Sequence, residues 1–206
     1  MRRAMLGDVY VMKLPNGYKI FQWAYLIPRK GEFIRVFDGL YDAIPEDIER
    51  IVGGAHSYII AFYASRAYRI GLASFIANLP VPEKYPFPHY SIEFFLDSGN
   101  RLYFVSVRDL RNPPVGPSTL LFDVTSMKEL PLEYREIKLV AGFLSPDLVM
   151  CLFDYNFDMD HPERFFPQVV LGGKWKERLE IYSDRVGGLL EKDKEKRRRK
   201  KEGSNH

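Results

Sequence analysis

Cysteine occurs once in the 206-residue chain, at Cys151, so no disulfide can form within it. That excludes a disulfide-stapled secreted scaffold and fits a reducing compartment. Histidine is scarce as well: His56, His89, His161 and His206. None has a histidine partner one helical turn away, and no HExxH occurs, so no zinc site is expected. Long apolar runs are missing too. No stretch approaches the ~18 residues that a membrane-spanning helix needs. Met1–Leu6 reaches no long apolar run before Gly7-Asp8, so no signal peptide is expected. There is no GxxxxGK[ST], no GxGxxG after a strand and no GxSxG elbow. These absences lead to the expectation of a soluble, cytoplasmic, non-enzymatic protein with no cofactor, no metal and no catalytic residue.

What the chain does have is a globular composition. Apolar residues make up 46% and charged residues 28%, enough to build a core. Aromatics are plentiful, with 15 Phe and 13 Tyr, and such side chains favour half-buried strands. The formal charge of +3 invites a nucleic-acid reading. Its distribution weakens that reading. Residues 191–206 hold eight Lys/Arg and four Asp/Glu, whereas the other 190 residues hold 22 basic and 23 acidic side chains. The basicity belongs to the tail, where charge runs are usually solvated.

The opening reads as an antiparallel meander. Asp8–Leu14 is a strand, Pro15-Asn16-Gly17 a tight turn, Tyr18–Ile27 the return strand and Glu32–Phe37 a third. Pro45-Glu46-Asp47 opens a short helix through about Val52, and Gly53-Gly54 ends it. Tyr58–Tyr63 reads as a buried strand and Tyr68–Ile76 as another, though its period is ambiguous. Leu79–Pro88 carries Pro80, Pro82, Pro86 and Pro88 and must be an extended loop. Ser91–Leu96 and Arg101–Val107 form the strongest hairpin. Further strands are expected at Thr119–Asp123, Ile137–Phe143, Leu148–Asp154 and Gln168–Leu171. A helix should run from about Lys174 towards Leu190, with Gly187-Gly188 as a possible interruption.

The expected fold class is therefore α+β and β-rich: a bent antiparallel sheet or SH3-like partial barrel, then further strands and a C-terminal helix. Three segments are expected: a β-rich domain over 1–110, a second β/α segment over 111–190 packed on it, and a disordered basic tail over 191–206. Phe-Asp followed by a loop, Pro and an acid recurs at Phe37-Asp38, Phe122-Asp123 and Phe153-Asp154. It reads as one way of leaving a strand and starting a helix.

Asp154, Asn156 and Asp158 have the oxygen spacing of positions 1, 3 and 5 of a calcium loop, but Met159 replaces the turn glycine and Phe165 the bidentate glutamate. The loop reads instead as an acidic surface patch for a basic partner, with Asp154, Asp158, Asp160 and His161 as candidate partner-binding residues. Asp38, Asp42, His56 and His89 are the candidates should the chain be a small-molecule enzyme, which would require a pocket holding two or more of them.

Gly7-Asp8-Val9-Tyr10, then Leu14-Pro15-Asn16-Gly17-Tyr18, resembles the opening of the immunity protein 26 family. Val36-Phe37-Asp38, Tyr58–Tyr63 with Ala67 and Gly71, and the proline-bearing Leu79–Pro88 follow in the family's order. The resemblance covers about Leu6 to Leu96; Leu72 stands where the family has a large aromatic. It implies a predicted immunity protein of bacterial polymorphic toxin systems, which binds and neutralises a cognate toxin in the cytoplasm. The Gly-Asp hairpin is also similar to small ribonuclease toxins with an SH3-like barrel, although their basic Arg-Pro strand is missing. That second likeness implies nucleic-acid binding, which the body's charge does not favour apart from nonspecific contacts by the tail.

Overall fold

The computed structural model describes residues 2–27, 31–96, 103–109, 119–124, 130–135, 139–143, 146–155, 157 and 174–202. Among the described residues, nine strands form one sheet. They are β1 (Asp8–Leu14), β2 (Gly17–Ile27), β3 (Gly31–Val36), β4 (Tyr58–Ala61), β5 (Ser74–Asn78), β6 (Tyr90–Leu96), β7 (Tyr103–Asp109), β8 (Thr119–Val124) and β9 (Leu139–Phe143). Their spatial order is β5-β1-β2-β3-β4-β9-β6-β7-β8. The helices are α1 (Ile48–Gly53), α2 (Ala64–Ile70), α3 (Leu132–Arg135), α4 (Pro146–Asp154) and α5 (Lys174–Glu202). The architecture is α+β with strands dominating the N-terminal part, as composition and patterning lead one to expect.

The sheet is open and mixed. β1 to β4 pair antiparallel in succession, and β5 returns to pair with β1. β9 runs parallel to both β4 and β6. The later segment is therefore built into the sheet: β9 sits between two strands of the earlier one. Parallel neighbours cannot be joined by a tight turn, and here the long excursion through β6, β7 and β8 supplies the crossover.

The β1–β2 turn shows how local chemistry sets register. Gly17 has φ of 141°, and a Cβ there would stand 2.6 Å from the Tyr41 carbonyl oxygen. That closeness lets Tyr18 and Tyr41 exchange backbone hydrogen bonds of 2.7 and 3.0 Å. Register then places Tyr10 and Met12 beside Phe21 and Lys19, and Val9 and Val11 beside Gln22 and Ile20. Period-two alternation sends the two sets to opposite faces. The Tyr10 face forms the main core with Ile34, Tyr58, Ile60, Phe153, Tyr182 and Val186. Val9, Ile20, Phe37 and Val52 form a smaller core on the other face, beneath α1.

Five expectations are corrected. Tyr68–Ile76 is not one strand: α2 ends at Ile70, Gly71 closes it in the left-handed conformation, and β5 starts at Ser74. Ala64, Ala67 and Ile70 are the buried residues of α2, spaced three apart as a helix requires. Leu148–Asp154 is not a strand but most of α4, with every residue from Val149 to Asp154 buried. A helix covered on all sides loses its amphipathic period, while Pro146 and Asp147 in the first turn are ordinary helix openers. Residues 191–202 are not disordered but continue α5, held by pairs one turn apart: Lys194–Glu191, Arg197–Asp193, Arg198–Glu202 and Arg199–Glu195. Gly187-Gly188 does not interrupt it. The recurring Phe-Asp pair also has no single meaning, since Phe122-Asp123 lies within β8 and Phe153-Asp154 ends α4. Gln168–Leu171 and the turn after Leu96 lie outside the described residues.

Candidate functional site

The Gly7-Asp8 opening is a fastening point. Gly7 has φ of 87°, and a Cβ there would meet the Leu79 carbonyl oxygen at 2.7 Å. The Leu79 N–H donates to the Gly7 carbonyl at 2.9 Å. Asp8, fully buried, accepts from Arg2 (2.8 Å), the Met5 N–H (2.8 Å), the Tyr10 hydroxyl (3.0 Å) and Asn78 (2.7 Å). Burial opposes its ionisation, but these four donors outweigh it and hold the carboxyl below its usual range. A carboxylate so engaged ties the N-terminus to β5 and has little capacity left for a substrate.

Arg35 is a second node, fully buried on the α1 face. Its guanidinium donates to Gln22 Oε1 (3.0 Å), Val52 O (3.2 Å), Gly54 O (3.0 Å) and His56 Nδ1 (3.3 Å). Two acceptors are carbonyls at the end of α1, where helix carbonyls lack intrahelical partners and the dipole favours a cation. Accepting at Nδ1 requires that nitrogen of His56 to be unprotonated. Arg35 also lies over the rings of Phe37 (5.1 Å) and Tyr85 (4.6 Å). Burial lowers its pKa.

Arg35 thereby reaches the proline loop Leu79–Pro88. Gln22 Nε2 donates to Leu79 O at 2.7 Å, and the Tyr25 hydroxyl donates to Tyr85 O at 2.7 Å. Phe87 packs edge-on against Tyr25 and Phe33. The loop is thus pinned along its length by buried groups, while Glu83 and Lys84 at its tip stay exposed.

Lys19 is buried on the main-core face and donates to Gly39 O at 3.1 Å. Burial lowers its pKa from 10.5 to about 8, against the favourable charge of Asp38. An amine of that pKa suits nucleophilic chemistry. Here its Nζ is sealed from solvent and holds the chain leaving β3. Asp38 accepts from Ser57 at 2.9 Å. His56 and Asp38 therefore serve different partners. Asp42 and His89 lie on the surface.

Of the candidate partner-binding residues, Asp154 is described, and it lies inside. It is 7% exposed, paired with Arg178 at 3.1 Å and accepting from Asn16 at 3.2 Å. It joins α4, α5 and the β1–β2 turn, so it is not a surface contact. Asp158, Asp160 and His161 lie outside the described residues. Cys151 is buried in α4, and burial pushes its thiol up to about 12, an inert state.

Sequence reasoning missed Asp8, Lys19, Gln22 and Arg35 as buried polar groups. The available signal was a charged or amide residue inside a strand whose neighbours are apolar on both sides, as in Ile20-Phe21-Gln22-Trp23 and Phe33-Ile34-Arg35-Val36.

The outer surface presents a different arrangement. α2 exposes Tyr63 at its N-cap, then Arg66 and Arg69. Arg69 approaches Asp193 of α5 at 3.9 Å, and Asp193 also pairs with Arg197 at 3.0 Å. One acid is thus shared by two arginines from different helices.

These features define an open α+β sheet protein with a pinned surface loop and a long charged helix. Among the described residues no helix is long and apolar enough to cross a membrane. The chain matches no family model, no curated protein and no solved structure.

Proposed function

We propose that the protein is a cytoplasmic immunity protein that binds and neutralises a cognate bacterial toxin without itself catalysing a reaction. The observation that carries this reading is the pinned loop Leu79–Pro88. A loop fixed by a rigid scaffold gives a contact surface whose ordering cost is already met before binding. The residues that resemble the immunity protein 26 family support the same reading. Gly7 and Asp8 are joined to Asn78 and Leu79, where the loop begins, so the segments carrying the resemblance work as one unit.

The test is co-expression with a secreted toxin encoded beside it. Co-purification and rescue of growth are expected. Neither binding nor rescue would sink the proposal.

A further inference from the structure

We propose that α2 and the C-terminal part of α5 form a binding surface for the phosphodiester backbone of a nucleic acid, separate from the toxin-binding loop. Three observations converge. Residues 191–202 hold eight Lys/Arg against four acids. All four acids are engaged: Glu191 with Lys194, Asp193 with Arg69 and Arg197, Glu195 with Arg199, and Glu202 with Arg198. Lys192, Lys196 and Lys200 stand four apart, on one side of the helix and exposed to solvent. That row spans about 12 Å at ~1.5 Å rise per residue.

The second observation is tertiary. α2 brings Arg66 and Arg69 to the same neighbourhood, and α2 carries no acid. Folding therefore gathers cations from two distant parts of the sequence around Asp193. Like charges repel, so the arrangement stores an electrostatic demand that an external anion would meet.

The third observation selects the partner. Protein interfaces place aromatic and apolar anchors at their centre and are depleted in lysine. This surface is rich in lysine and arginine, and among its exposed described residues Tyr63 is the large aromatic. A phosphate backbone needs cations and gains from one aromatic on which a base can stack.

The experiment uses the full chain and fluorescence anisotropy with three probes: single-stranded RNA of roughly 20 nucleotides, duplex DNA of similar length, and polyglutamate of matched charge. With four phosphate contacts, affinity for the duplex should fall roughly 100-fold between about 50 and 200 mM salt. Arg66→Ala with Arg69→Ala should weaken binding about 10-fold, as should Lys192→Ala with Lys196→Ala. Thermal melting should stay unchanged in both double variants. Three results would overturn the proposal. One is no binding at low salt. Another is unchanged binding in the α2 variant, since tail charge alone needs no α2. The third is polyglutamate binding as tightly as the nucleic acids, which would mean an acidic protein surface instead. Toxin rescue is read separately, so failure here leaves the immunity reading standing and the reverse also holds.

Discussion

Arg35 and Arg198 are the same residue type put to opposite uses. Arg35 is buried, with its guanidinium on four acceptors and two rings. Arg198 is 81% exposed and pairs with Glu202, itself 62% exposed, at 2.9 Å. The first holds the sheet, α1 and the proline loop together, and water cannot replace what it does. The second sits in high dielectric, where an ion pair contributes little and remains available to another partner. The difference separates the molecule into a body whose charges are structural and a helix whose charges face outward.

Substitutions should break or sharpen that division. Arg35→Met takes the donor away from the Val52 and Gly54 carbonyls and from Gln22 Oε1 beneath α1. A loss of at least about 3 kcal/mol is expected from urea unfolding. If the midpoint barely moves, the body's polar network is not structural.

Asp8→Asn should cost about 2 kcal/mol near neutral pH through weakened hydrogen bonds to a buried group. Its folded pKa lies below the unfolded value. Its contribution is therefore present above the unfolded value near ~4 and is lost as pH falls through the folded one. The variant should lose less stability on acidification than the parent, as a series of melts from neutral to acid pH would reveal.

Lys19 gives a slope of the same sign at higher pH, although here it is the charged form that burial disfavours. Its folded pKa of about 8 lies below its ordinary 10.5, so the unfolded chain binds more protons between those values. Stability should rise with pH from about 8 towards 10, beyond which tyrosines such as Tyr58, raised by burial, pull the other way. Lys19→Met should flatten that rise.

Arg198→Ala is the smallest case. A change under about 0.5 kcal/mol is expected, detectable as a slight loss of helicity by circular dichroism.

The sequence made the meander legible because its signals agree. Asn16-Gly17 specify the turn, and the strands on either side of it are rich in Val, Ile and aromatic residues. α2 kept a helical spacing in Ala64, Ala67 and Ile70 that the strand reading of Tyr68–Ile76 cut across, whereas α4 was misread because burial removed the signal. Val149-Met150-Cys151-Leu152-Phe153 is apolar throughout, and periodicity cannot separate a buried helix from a buried strand. β9 was found as a strand, but its place between β4 and β6 depends on pairing that no local pattern encodes. Asp154 was read as surface because acids usually are; the arginine that covers it, Arg178, lies 24 residues along the chain. The tail's charge was legible, but its helicity was not. That helicity rests on pairs one turn apart, which a count of net charge conceals.

Growth rescue against the co-expressed toxin tests the central claim most directly when two variants are compared. One reverses the loop tip, with Glu83→Lys and Lys84→Glu, and the other reverses the helix, with Lys192→Glu and Lys196→Glu. The account predicts that the loop variant loses rescue and the helix variant keeps it. Rescue that survives the loop variant and disappears with the helix variant would contradict it.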